Sequence, residues 1–388
     1  MNESHEVRRV PMRVAGAFCL MALSVGLTAG ASEAGLSLDV AHGLCASGVF
    51  DRNAAGDAQT DDTKPIQAAI DHVAQSGGGS VIVPAGTYRI EGIRVVDGVR
   101  LVGAGPEKTI LRVFEAKPYA LITVAGGALE DLAVYGTPTE AESGDNWRVG
   151  TDGKGVGSTA RPVHLIHVSG AYHGAALRNV HALESRYDCL YVRGSKGLRV
   201  DNCRFDRAGR NVVSMVGNDE DFAFSNCTIG SLWGLYHFDI EPAGGRYVRD
   251  GVFDHCIFDG REAGKMDTGT WGSFLCFCGH GELQSRAVTV RDCTFHRIYV
   301  RVHGVFPEVQ FLNNTFDTKG RAFVRVDTNP VGEFRDAVVR GNRFLTRGQP
   351  ARAINQGVSF TGTSTFARNR PRKFNGPGCT AESKSEPE

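Results

Sequence analysis

His237, Asp239 and Glu241 alternate with Tyr236, Phe238 and Ile240 in the segment LYHFDIEP, residues 235–242. Side chains two apart share one side of a β-strand. The spacing therefore predicts an imidazole and two carboxylates side by side on a wet face, with apolar residues turned inward. Such a set can move protons, and its carboxylates can hold Ca²⁺. Further strands are predicted at YDCLYVRG (187–194), NVVSMVG (211–217), SFLCFCGH (273–280), IYVRVHG (298–304) and AFVRVDT (322–328). Alternation turns Leu190, Val192, Val300, Val302, Val324 and Val326 inward. It turns Tyr191, Arg193, Tyr299, Arg301, His303, Phe323, Arg325 and Asp327 outward. Arginines on that face favour an anionic ligand, because a guanidinium holds a carboxylate in a two-pronged fork.

These strands share a face only if the chain coils. LEDLAV (129–134), LRNVHA (177–182), VDNCRF (200–205), FSNCTI (224–229), FDHCIF (253–258), VRDCTF (290–295), FLNNTF (311–316) and VRGNRF (339–344) follow one pattern. Each has an apolar residue, a variable one, a turn-former, a fourth slot usually Cys or Asn, and an apolar end. The ends lie 48, 23, 24, 29, 37, 21 and 28 residues apart, and 48 is twice 24. A period in the twenties built from short β segments marks a solenoid, and no leucine frame supports a leucine-rich repeat. The turn-former is expected in left-handed backbone. Cys203, Cys227, Cys256 and Cys293 form an inward column continued by Asn314 and Asn342. Thiols stacked one rung apart are badly placed for the dihedral of a disulfide, so they are read as free and packed like small hydrophobes. Cys276 and Cys278 receive the same reading, since no second pair at zinc-ligand spacing is present. Cys45 and Cys379 are candidates to bridge the two ends.

Composition sets limits. Lys+Arg and Asp+Glu number 43 each in 388 residues, which argues against a nucleic-acid or membrane partner, and 49 glycines point to tight turns. Residues 1–31 read as an export signal: Arg8, Arg9 and Arg13, an apolar run from Val14 to Leu27, then Ala29-Gly30-Ala31. Its removal takes three positive and two negative charges, so a formal charge of zero becomes about −1. The expected location is the periplasm or outside the cell, with no membrane span afterwards, as a monomer or homo-oligomer. The β-helix domain is expected over 32–361, with 46–90 as cap and first strand, and 362–388 as a polar tail.

DDTKPIQAAIDHVAQSGGGSVIVPAGTYRI, residues 61–90, predicts a helix that covers the open end of the solenoid. Asp62 or Thr63 caps it, Pro65 stands in its first turn, Ile66, Ile70 and Val73 form its apolar stripe, and Gly77-Gly78-Gly79 ends it. With VRLVGAG (99–105), this segment resembles the opening of the pectate lyase superfamily, which includes polysaccharide lyases, polygalacturonase relatives, uronan epimerases and phage tailspikes. The resemblance covers roughly 46–360 and implies an all-β fold: a single-stranded right-handed parallel β-helix solenoid with an N-terminal capping helix. It also implies that an acidic polysaccharide lies along the outward face of the first strand of each coil.

Three reactions follow from that setting. β-Elimination needs a group to neutralise the uronate carboxylate, a base for the neighbouring proton and an acid for the leaving oxygen. Arg301 and Arg325 are assigned to the carboxylate, His237 or His303 to the base, and Asp239 with Glu241 to orientation or Ca²⁺. Tyr191, Arg193, Tyr299, Arg325 and Asp327 are the substrate-binding candidates. Epimerisation needs similar parts, and YHFDIEP is similar to the Tyr-Gly-Phe-Asp-Pro-His-Glu strand of alginate epimerases at Tyr236, Phe238 and Asp239. Hydrolysis of the polygalacturonase type fits less well. Tyr187 replaces the first of that family's paired aspartates before Asp188, and Arg210 stands where its Gly-His-Gly motif would fall. A glycan-binding module without turnover is the remaining alternative, and elimination is the primary expectation.

Overall fold

The computed structural model describes residues 35–113, 119–136, 163–170, 174–185, 187–230, 236–242, 244–260, 274–279, 285–317, 324–325, 332–345 and 358–370. The expected export signal, Phe323, Val326, Asp327 and Cys379 lie outside the described residues.

The helix spans Thr63–Gln75 and buries Pro65, Ile66, Ala69, Ile70 and Val73 against strands Gly79–Ile82 and Ile93–Val96. The expected Asp62 cap is corrected. Its carboxylate accepts the backbone N–H groups of Ala55 at 2.8 Å and Gly56 at 3.0 Å, so it ties down the preceding loop instead. The helix ends where Gly77, Gly78 and Gly79 take positive φ. Gly79 has a second reason to lack a side chain: a Cβ there would stand 2.1 Å from the Leu36 carbonyl oxygen.

Beyond the helix the chain is a parallel β-helix. Among the described residues the strands form two long sheets whose pairings are parallel, with one isolated antiparallel bridge from Val96 to Gly126. The turn-formers of the repeat do what the pattern predicts. Asp131, Asn179, Asn202, Asn226, His255, Asp292, Asn313 and Gly341 all have φ between 50° and 71°. Short polar side chains tolerate that left-handed region better than others, and they bond between coils. Asn179 Nδ2 donates to Asp131 Oδ1 at 2.7 Å, and Asn202 Nδ2 to Asn179 Oδ1 at 3.2 Å.

The inward column is also present, and its chemistry explains why Cys and Asn interchange. Each member points a donor at a carbonyl of the preceding coil: Cys256 Sγ to Phe224 O at 3.3 Å, Asn314 Nδ2 to Val290 O at 2.8 Å, Asn342 Nδ2 to Phe311 O at 2.8 Å. Later members also accept the backbone N–H of the member before them, as Cys293 Sγ does from Cys256 at 3.3 Å and Asn314 Oδ1 from Cys293 at 2.9 Å. The four thiols are free and buried, and Cys45 is a free, exposed thiol. Beside this column the repeat-ending phenylalanines stack face to face, Phe258 on Phe295 at 4.6 Å and Phe295 on Phe316 at 4.5 Å. Full burial of such a ring stabilises by about 1.5–3 kcal/mol.

The domain boundary at 361 is corrected. Thr365–Ala367 is a strand paired with Val338–Arg340, and Asn369 continues the column by donating to Val339 O at 2.8 Å. The repeat motif is not visible in this last coil, because TSTFARN lacks the usual turn-former and carries Arg368 at positive φ.

Candidate active site

The shorter of the two sheets carries the residues with chemical potential. Its strands include Val163–Ser169, Leu190–Arg193, Asn211–Met215, Tyr236–Ile240, Phe274–Gly279 and Tyr299–Pro307. Register pairs Thr123 with His167, His167 with Tyr191, Tyr191 with Ser214 and Ser214 with Asp239. The line continues from Asp239 to Cys276, Cys276 to Arg301 and Arg301 to Arg325. One column therefore runs along the sheet, one residue per rung, with rungs about 4.8 Å apart. Asp239 and Arg301 share it, separated by Cys276, and the predicted register of Arg301 with Arg325 is observed. A second line, two residues further along each strand, pairs Ser169 with Arg193 and Cys278 with His303.

Exposure departs from the sequence expectation. Arg193 and Glu241 are exposed, and Tyr191 and His303 are half-buried. His237 is fully buried at 0% exposure, while Asp239, Arg301 and Tyr299 are buried at 3%, 4% and 8%. Period two tells which side of a sheet a residue occupies, not what lies over that side. Burial pushes the His237 imidazole down to about 4, against the opposing pull of Asp259 and Asp206. His237 is thus neutral and out of reach of a polymer, which corrects its assignment as base. Tyr299 is likewise corrected from an exposed binding residue to a buried one. For Arg325 the structure gives the backbone register, and Asp327 lies outside the described residues.

The densest constellation sits on the rungs before Asp239, where the sequence pattern singles out only Tyr191 and Arg193. Asp188 is fully buried. It accepts Arg210 Nε on Oδ1 at 2.8 Å, Arg210 Nη2 on Oδ2, and the backbone N–H of Asn211 at 3.1 Å; His164 Nδ1 lies 3.3 Å from Oδ2. Burial alone would raise the Asp188 pKa, but Arg210 and His164 outweigh it and hold the carboxyl well below the usual range. Burial lowers the Arg210 pKa, and the charge and hydrogen bonds of Asp188 outweigh that and raise it. This pair is a fixed, two-pronged ion pair.

Around it the aromatic rings interlock. The Arg210 guanidinium stands 4.4 Å from the centre of the Tyr187 ring and 5.8 Å from that of Tyr191. His164 stacks on Tyr191 at 4.1 Å, with Tyr187 edge-on to His164 at 5.0 Å. His167 approaches Tyr191 at 5.4 Å; burial, then His164, Arg193 and Arg94, push its pKa down to about 4. From Arg210 the polar network runs to Asp239. Arg210 Nη2 donates to Ser214 Oγ at 3.3 Å, and Asn211 Nδ2 donates to Ser214 Oγ and to Asp239 Oδ2, both at 3.0 Å.

Asp239 is the opposite of Asp188. Burial first, then nearby Glu241, push its pKa well above the ordinary value, against Arg210. Its Oδ1 has no hydrogen-bond donor among the described residues. Two carboxyls joined through Asn211 are therefore pushed in opposite directions, Asp188 down and Asp239 up. Environments that push paired titratable groups apart mark acid–base sites.

The comparisons agree with this fold. A family model described as "Rhamnogalacturonase A/epimerase, pectate lyase-like" matches residues 47–131. The plasmin and fibronectin-binding protein A of Streptococcus pneumoniae is 32% identical over 307 residues, 76% of this chain and 38% of that protein. Alginate lyase 7 of Azotobacter vinelandii is 34% identical over 111 residues, 24% of this chain and 13% of the lyase. The mannuronan C5-epimerase AlgE3 of the same organism is 39% identical over 89 residues, 20% of this chain and 5% of the epimerase. The chain thus spans well under half the length of these relatives. Among solved structures, ORF18 of Geobacillus virus E2 superposes with a TM-score of 0.59 at 15% identity, covering 86% of this chain and 60% of that one. A surface adhesin of Streptococcus pneumoniae superposes with a TM-score of 0.57 at 14% identity, covering 87% of this chain and 90% of that one. The chain carries a right-handed parallel β-helix, and its residues 47–131 match a pectate lyase-like family model.

Proposed function

We propose that this protein acts on an acidic polysaccharide by removing the proton at C5 of a uronate residue, with β-elimination as the outcome. The observation that supports the reading best is the single polar network from His164 and Asp188 through Arg210, Asn211 and Ser214 to Asp239, with the Tyr191 ring stacked against His164. Its parts match the needs of the reaction. Arg193, exposed two residues along the strand from Tyr191, meets the uronate carboxylate by charge, while buried Asp239 and Arg301 shape the field of the column behind it. Tyr191 transfers the proton. His167, whose ring lies 5.4 Å from that of Tyr191, can receive or return a proton.

In the step itself, the base takes the C5 proton, the C5–H electrons become the C4–C5 double bond, and the C4–O bond breaks. The leaving oxygen takes a proton from the acid. In the Asp188–Arg210 pair, Asp188 positions the arginine and is too firmly held to attack a sugar. This weighs against hydrolysis through a carboxylate pair.

Epimerisation is a second reading, favoured by the match to the mannuronan epimerase. It shares the first half of the chemistry and differs in returning the proton to the other side of C5. A binding role without turnover draws support from the pneumococcal binding protein. One panel separates them: purified protein is mixed with several uronans while absorbance of the unsaturated sugar and exchange of the C5 proton are followed. Unsaturated product supports elimination, exchange without cleavage supports epimerisation, and retention of glycan with neither supports the binding role.

A further inference from the structure

Cys276 and Cys278 point from one strand towards the side that carries Asp239, and all three are buried. Their ligand atoms, two thiol sulfurs and a carboxylate oxygen, lie within 4.8 Å of one another. The sulfurs are 3.3 Å apart. In the sequence the pair lacks further ligands at zinc spacing. The fold supplies the third from the neighbouring coil, 37 residues upstream of Cys276.

We propose that Asp239, Cys276 and Cys278 bind one borderline-soft divalent cation of the zinc class. Thiolate and carboxylate ligands suit that ion. Metal–sulfur bonds of about 2.3 Å in a tetrahedral site put the sulfurs about 3.7 Å apart, so the pair need open only by a few tenths of an ångström. A disulfide is the competing use of the pair, and the strand opposes it. Residues two apart on one side have α-carbons about 6.7 Å apart and parallel Cβ directions, at the limit of what a disulfide spans.

Asp239 Oδ1 is buried and lacks a donor among the described residues, which leaves it open to a cation. Two thiolates and a carboxylate carry three negative charges, which a dication and Arg301 on the next rung balance, the ligand protons passing to solvent on binding.

The inference deepens the proposed function and rests on it for location. Three protein ligands leave a fourth position for water on a tetrahedral ion, and the buried ion would fix Asp239 against Asn211, whose network leads to Arg210.

The test titrates Co²⁺ into reduced, metal-free full-length protein and measures zinc content in protein isolated without chelator. The proposal expects one zinc per chain and an intense sulfur-to-cobalt charge-transfer band saturating at one equivalent. The band is lost in Cys276→Ser. Asp239→Asn keeps a sulfur-to-cobalt band but weakens affinity at least tenfold. Absence of the band in wild-type protein, or recovery of Cys276 and Cys278 as a disulfide in the isolated protein, overturns the proposal. The uronan panel on the same samples keeps the two claims apart. One bound ion without turnover retains the metal site and discards the reaction, and turnover without an ion does the reverse.

Discussion

Two columns of stacked side chains run through this molecule, and they differ in what each rung asks of the next. In the inward column, Cys203, Cys227, Cys256, Cys293, Asn314 and Asn342 all donate to a carbonyl of a preceding coil, and Cys293, Asn314 and Asn342 also accept the N–H of the member before. In the outward column, His167, Tyr191, Ser214, Asp239, Cys276 and Arg301 are all different, one chemically distinct side chain per rung. Vertical stacking is common to both, so stacking is the property of the fold. Heterogeneity with unmet electrostatic demand is what separates a site from a scaffold.

That contrast can be broken in measurable ways. The largest effect is expected from Tyr191→Phe, which should lower turnover of a uronan by about 10²–10⁴-fold, the range for losing one proton-transfer group. Its melting temperature should change little, because the ring and its stack on His164 stay. Arg210→Ala should lower folding stability by about 3–5 kcal/mol in chemical denaturation, since it leaves the Asp188 carboxylate buried without its partner. Removing both charges, as Asp188→Leu with Arg210→Met, should recover much of that stability while activity stays lost.

Acid offers a third probe. The folded-state pKa of His237 is depressed to about 4 from an ordinary 6.5, so the unfolded chain binds the extra proton between those values. The contribution of neutral His237 is therefore complete above pH 6.5 and is lost as pH falls towards 4, by roughly 3 kcal/mol over the window. His237→Gln should flatten the pH dependence of stability there by about one proton, read from denaturation curves at several pH values. In the inward column, Asn314→Ala should cost about 2–4 kcal/mol, because Val290 O and Cys293 N lose their partner in the core. The smallest effect is expected from Asn314→Cys, which rebuilds the pattern of the earlier rungs and should cost about 1 kcal/mol or less. Neither Asn314 variant should alter turnover.

The scaffold was largely legible because its rule is local and repeated. A turn-former followed by Cys or Asn recurs often enough to expose the coil length, and the amphipathic pattern of 63–75 exposes the capping helix. The register of Arg301 with Arg325 followed from the same spacing. The site was legible only in part. VHLIHVS, 163–169, reads as a nearly continuous apolar strand, so nothing marks His167 as a member of the polar column or His164 as a neighbour of Asp188. Arg210 stands at a turn in AGRN, where periodicity assigns no side, and its value comes from Asp188, Tyr187 and Tyr191 closing on it from the coil before. His237 shows the reverse error: its alternation was read correctly, yet the side it faces is closed to solvent.

The central claim is that Tyr191, stacked on His164 and near Arg210, takes part in moving the C5 proton of a uronate. The most direct test compares wild-type protein with Tyr191→Phe at matched thermal stability, following release of unsaturated sugar and C5 proton exchange on a panel of uronans. The account predicts unsaturated product from the wild type and release from the variant slower by about a hundredfold or more. Equal rates in the two proteins, or neither product nor exchange from the wild type on any uronan, would contradict it.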